Sequence, residues 1–146
     1  MDNGVSSGVY IPPFRLRQMQ KEAQLCEDKA SAEYQKAQWE FLKKKLNGII
    51  NKINLANIQK IVVQLFNCNL IRGKGLFSRA VLKAQVASVN YSHIFAAVVA
   101  VVNSKLPDVV KLLLNRLILT FKKAYKRNNK IQCVGALKFI AALVNQ

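Results

Sequence analysis

The sequence predicts an all-α fold, an α-solenoid in which helices stack as antiparallel pairs. Three observations carry that prediction. Apolar residues recur at three- and four-residue steps along most of the chain, and nothing in it supplies a pair of matching strands. The links between these periodic stretches are only a few residues long, which makes consecutive helices antiparallel neighbours. Three apolar runs, residues 61–67, 97–103 and 139–145, each close on an asparagine. They recur roughly every 40 residues, near the ~40–47 of HEAT-type helical repeats.

Residues 1–30 read as an extended arm. Gly4, Ser6, Ser7 and Gly8 leave its start flexible, and Pro12-Pro13 sets an extended turn and pushes Ile11 away from the helical region. Residues 14–26 have the composition of a short helix, but Glu27-Asp28-Lys29 breaks its apolar pattern. Tyr10, Ile11 and Phe14 are large and apolar in a segment with no core of its own, so a docking role is expected of them.

The helical repeats occupy residues 31–146. Ser31 is the expected cap of the first helix, which runs to about residue 53 and carries Tyr34, Trp39, Leu42, Leu46, Ile49, Ile50 and Ile53 on one face. Gly48 lies inside it at a cost of about 1 kcal/mol relative to alanine, which close packing on a neighbouring helix would explain. Asn57 is expected to cap the second helix, with Ile58, Ile61, Val62, Leu65 and Phe66. A loop over residues 67–75 leads to the third, at about 76–87. Its Gly73-Lys74-Gly75 lacks the spacing and the preceding strand of a phosphate loop and reads as a sharp turn. Ser92 is expected to cap a fourth helix, 94–105, whose valines are interleaved with Ala96, Ala97 and Ala100. Pro107 and Asp108 suit the first turn of a fifth, which runs to about residue 126. Asn128-Asn129 then turns the chain into a sixth, 130–144. The recurring asparagines suit left-handed helix ends.

Charge and chemistry narrow the function. The 146 residues hold 23 Lys and Arg against 7 Asp and Glu, a net charge of +16. Beyond Glu40 the only acid is Asp108. Such a field draws nucleic acid, anionic lipid or an acidic protein face. Paired carboxylates for acid-base work are missing from that region, and His93 has no neighbour in sequence to orient it as a base, so an exposed position is expected for it. Cys26, Cys68 and Cys133 are widely spaced and read as reduced thiols of an intracellular protein, with no metal site and no cofactor. The first eight residues lack the basic and apolar regions of a secretory signal. The most apolar run is too short to cross a bilayer, so a soluble protein with no membrane partner and no small-molecule substrate is expected. Trp39, Phe66, Phe77, Phe95, Phe121 and Phe139 sit at core positions, which leaves few aromatics to stack bases. Phosphate contact by Lys122, Lys123, Lys126, Arg127 and Lys130 is the credible route to RNA, and a basic RNA-binding module is the alternative reading.

Several motifs point further. Val9-Tyr-Ile-Pro-Pro13 with Leu16-Arg17, Trp39-Glu40, Leu46-Asn-Gly-Ile-Ile-Asn-Lys-Ile-Asn54, Arg72-Gly-Lys-Gly-Leu76, Ser78-Arg79, Ala84-Gln85 and Asn103-Ser-Lys-Leu-Pro107 resemble, in register, the Cwc-twenty-two family of splicing factors. That resemblance implies a HEAT-like middle domain of the initiation factor four-G type, acting in the nucleus in pre-mRNA splicing. It implies spliceosomal protein partners and a grip on the DEAD-box ATPase of the exon junction complex, held with its lobes apart so that it cannot clamp RNA. Asn51 and Lys52 match the Asn-Lys pair of that grip, with Lys45 and Asn54 beside them. The family's domain has about five helix pairs, so this chain reads as its N-terminal part, with one face of the fifth and sixth helices uncovered.

Overall fold

The computed structural model describes residues 12–27 and 31–146, with side chains placed for 12–20 and 31–146. The expected docking residues Tyr10 and Ile11 and the flexible start lie outside the described residues. Every described element is helical: α1 (Pro13–Glu27), α2 (Ala32–Asn51), α3 (Ile58–Phe66), α4 (Lys74–Ala87), α5 (Ser92–Lys105), α6 (Pro107–Lys126) and α7 (Lys130–Val144), with short 3-10 turns at Leu55–Asn57 and Val89–Tyr91. The all-α expectation holds. Compactness divides the chain between Glu40 and Phe41, inside α2.

In the N-terminal unit, α1 replaces the extended segment that Pro12-Pro13 implies. Pro13 takes the first helical position, where a proline loses no hydrogen bond, and the Pro12 carbonyl accepts from the Arg15 and Leu16 amides at 2.8 and 3.1 Å. Its described side chains are all exposed, Phe14 at 79%. Ser31 caps α2 as expected, its Oγ accepting from the Tyr34 amide at 3.2 Å. Trp39 does not join a core: it is 36% exposed. Its helical spacing matches the apolar stripe, but spacing alone does not supply a neighbour to cover it.

In the larger unit, α4 and α6 lie side by side, α3 packs on α5, α5 on α7, and α6 crosses to α5 and α7. Two helical layers result, and the core lies between them. Leu46 and Ile50 of α2, Leu65, Phe77, Val98, Val99, Val102, Leu113, Leu117 and Phe139 are all at most 2% exposed. Each such side chain contributes about 1.5–3 kcal/mol by leaving water. Phe95 is also buried, while Phe66 and Phe121 pack against the core from its edge.

Helix limits shift where backbone bonding overrides pattern. α2 stops at Asn51 because the Lys52 and Ile53 amides turn to carbonyls three residues back, Ile49 and Ile50, each at 3.2 Å. α4 starts at Lys74, so Gly73 takes its N-cap position and Gly75 lies in its first turn. Gly73 has φ −85°, so no special conformation calls for glycine. Close approach does: an added Cβ would stand 3.1 Å from both the Asn69 carbonyl oxygen and Leu46 Cδ1. Ser92 is not a cap. It is the first residue of α5, buried, its hydroxyl donating to the Val89 carbonyl oxygen and accepting from Gln85 Nε2 at 3.0 Å. Gly48 also departs from expectation, since a Cβ there would meet nothing within 4 Å.

The recurring asparagines end no helix in the left-handed conformation. Asn67 and Asn145 have φ −76° and −87°, and Asn103 lies within α5. Among the described non-glycine residues only Asn128, with φ 53°, is left-handed. It makes the turn into α7, whose cap Asn129 accepts from the Gln132 amide at 3.2 Å. Several large apolar side chains of α6 and α7 stand open: Ile118, Leu119, Tyr125, Ile131, Val134 and Val144 are 44–82% exposed.

Candidate functional site

The turn from α2 to α3 is built from asparagines. Asn57 donates from Nδ2 to the Lys52 carbonyl oxygen at 2.7 Å and accepts at Oδ1 from the Asn54 amide at 2.8 Å, while its own amide donates to the Asn54 carbonyl oxygen at 3.1 Å. It precedes α3 but does not cap it with its side chain; its amide group instead closes the turn behind it. Ile50 is buried, and Ile53 and Ile58 pack on the core edge, which pins the turn from below. Between these anchors Asn51, Lys52 and Asn54 are exposed.

Lys45 is exposed on α2, seven residues before Lys52, which stands in the turn that follows the helix. Gly48 lies between them with open space beyond it. The four polar residues singled out in the sequence thus flank a stretch of bare helix backbone and the adjoining turn. Lysine brings three donors and a charge, and asparagine offers both donors and an acceptor. A surface of this make-up can orient and hold a polar protein face.

Sequence reasoning passed over Leu55. It is 69% exposed at the crown of the turn, next to Asn54. A leucine among asparagines in a short link was the available signal, since no helical stripe claims it. An exposed apolar side chain ringed by polar groups suits the anchor of a protein contact.

The second basic set is spread over three hollows. Lys123 lines a groove between α4 and α6 with Arg79, Leu82, Arg116, Leu119 and Thr120. Lys122, Lys123 and Lys126 surround another with Leu119, Phe121 and Tyr125. Lys130 borders a third with Tyr125, Cys133 and Val134. Arg127 is exposed at the helix end. His93 is exposed in the first turn of α5. Among the described residues no three His, Cys, Asp or Glu side chains gather as a metal site would require, and no single helix is long and apolar enough to cross a membrane.

Comparison with known proteins agrees with the resemblance drawn from the motifs. The chain is 56% identical over 141 residues to the pre-mRNA-splicing factor cwc22 of Aspergillus fumigatus, covering 97% of this chain and 16% of that protein. It is 51% identical to the CWC22 homolog of Danio rerio and 50% identical to that of Homo sapiens, again over 97% of this chain and 14% and 15% of theirs. The chain spans about one sixth of the length of the curated relatives it matches. Residues 43–146, from the second half of α2 to the end of α7, match the model of the MIF4G domain. With its stacked helix pairs and that match over most of its length, this chain belongs to the MIF4G domain family.

Proposed function

We propose that this chain is a scaffold segment of a nuclear pre-mRNA splicing factor: it binds the DEAD-box ATPase of the exon junction complex, keeps it inactive and brings it to the spliceosome. It makes and breaks no covalent bond of its own. The observation that carries the reading is the outward presentation of Asn51 and Lys52 on a turn whose backbone is held by Asn57, at the positions that match the family's ATPase grip. The names of the relatives support the splicing role. A site held open from the ATPase's active arrangement needs rigidity on the scaffold side, which the buried isoleucines beneath the turn provide.

The test is a pull-down of the purified ATPase with Asn51→Asp/Lys52→Glu. Reversing a charge at a contact costs several kcal/mol in binding, so capture is expected to vanish while the circular dichroism spectrum stays that of the parent. Undiminished capture would remove this site from the account.

A second reading is favoured by one observation, the exposed Lys122, Lys123, Lys126, Arg127 and Lys130 around the end of α6. Direct binding of RNA phosphates there predicts an affinity that falls steeply with salt in the absence of the ATPase. A titration of RNA against the chain at several salt concentrations separates the two readings.

A further inference from the structure

The groove between α4 and α6 has a mixed lining of which the readings above use Lys123 alone. Its volume is about 360 Å³, and its walls are Arg79 and Leu82 from α4 and Arg116, Leu119, Thr120 and Lys123 from α6. On α6 these residues fall at steps of three and four, so the groove runs along about two turns of helix, roughly 10 Å. Arg79 and Lys123 are exposed, Leu119 is 54% exposed, and Leu82 is packed on the core edge.

Arg116 is held in place. Its Nη1 donates to the Gly75 carbonyl oxygen at 2.7 Å, and Nη2 lies 3.4 Å from where a Cβ on Gly75 would stand. The guanidinium thus lies on the first turn of α4, and a Cβ at position 75 would make ordinary contact with it. The other N–H donors of Arg116 have no partner among the described residues. Thr120 commits its hydroxyl to the Arg116 carbonyl oxygen at 2.8 Å, which leaves the cations as the groove's available polar groups. Nothing in the same unit neutralises them: its single acid, Asp108, lies at the opposite end of α6 from Lys123, about 22 Å along the axis.

We infer that this groove docks an acidic protein segment bearing a large apolar side chain, its carboxylates meeting Arg79, Arg116 and Lys123 and the apolar group lying between Leu82 and Leu119. Charge complementarity selects an anionic occupant, and a fixed guanidinium favours a planar carboxylate bound through two parallel hydrogen bonds. The leucines choose between anions. A phosphate backbone gains nothing from an apolar floor, and the lining has no aromatic ring on which a base could stack. Two helical turns accommodate a helical segment of about seven residues.

The probe is a fluorescein-labelled twelve-residue helical peptide, rich in glutamate with two leucines one turn apart, titrated against the full chain and followed by fluorescence anisotropy. Saturable binding is expected, about tenfold weaker for Arg79→Glu/Lys123→Glu and several-fold weaker for Leu119→Ser, and unchanged for Asn51→Asp/Lys52→Glu. Should the charge-reversed variant lose its helical circular dichroism, Arg79→Gln/Lys123→Gln replaces it with the same direction of effect. Absence of binding, equal binding of a control peptide with serine for both leucines, or equal binding by the groove variants would overturn the inference. So would a twelve-nucleotide oligouridylate that binds in place of the peptide and is lost with the same variants, since the groove would then be an RNA site.

Discussion

Gln85 Nε2 donates to the main-chain carbonyl oxygen of Gly135, 50 residues later in the chain, at 2.9 Å. The same nitrogen donates to Ser92 Oγ, so one buried amide ties α4 to the start of α5 and the middle of α7. A Cβ at position 135 would make ordinary contact with Val89 Cγ2 at 3.4 Å. Gln85 Oε1 has no partner among the described residues.

That arrangement predicts an asymmetric response at position 85. Gln85→Glu places a carboxylate against a carbonyl oxygen in a dry interior and is expected to destabilise the chain by about 3 kcal/mol or more. Gln85→Met loses two hydrogen bonds but also removes the unpartnered oxygen, and a loss below about 2 kcal/mol is expected. Urea denaturation followed by circular dichroism measures both. Equal losses would mean that the amide does not bridge the layers.

Glycines 48 and 73 predict opposite outcomes for the same substitution. Gly48→Ala enters open space inside a 20-residue helix and is expected to stabilise by about 0.5–1 kcal/mol. Gly73→Ala would drive a methyl against the Asn69 carbonyl oxygen and Leu46 and is expected to cost about 1–3 kcal/mol. Thermal melts of the two variants beside the parent decide the sign in each case.

Asn57 acts on the α2–α3 turn from behind. Asn57→Ala removes its bonds to the Lys52 carbonyl oxygen and the Asn54 amide, each of which contributes about 1 kcal/mol. A stability loss of about 1–2 kcal/mol is expected, with weaker ATPase capture even though the contact residues are intact. Asn57→Asp keeps the acceptor for Asn54 and should recover part of the capture, a graded series that a pull-down reads directly.

Leu55 should separate binding from folding. At 69% exposure its replacement by serine is expected to change stability by less than about 0.5 kcal/mol. As an apolar anchor at the crown of the turn, the same change is expected to weaken ATPase binding by about tenfold or more. Isothermal titration of the ATPase into Leu55→Ser tests it, and unchanged affinity would remove Leu55 from the contact.

The sequence by itself determined the helices that apolar period and end chemistry both mark. Pro107 at the first position and the Asn128-Asn129 turn set α6 and α7 at their expected limits, because a proline's fixed φ and an asparagine's tolerance of left-handed φ are local properties. It also placed Asn51 and Lys52 on an exposed surface, since the intervening apolar positions left no other face for them. Tertiary structure decided the rest. Whether Trp39 is covered, whether Gly48 is crowded, and whether Ser92 caps a helix or receives Gln85 all depend on which distant segment lies alongside, and a helical period specifies a face without naming its neighbour. The α4–α6 groove is of the same kind: Arg79 and Lys123 become one surface only when two helices separated by α5 pack side by side.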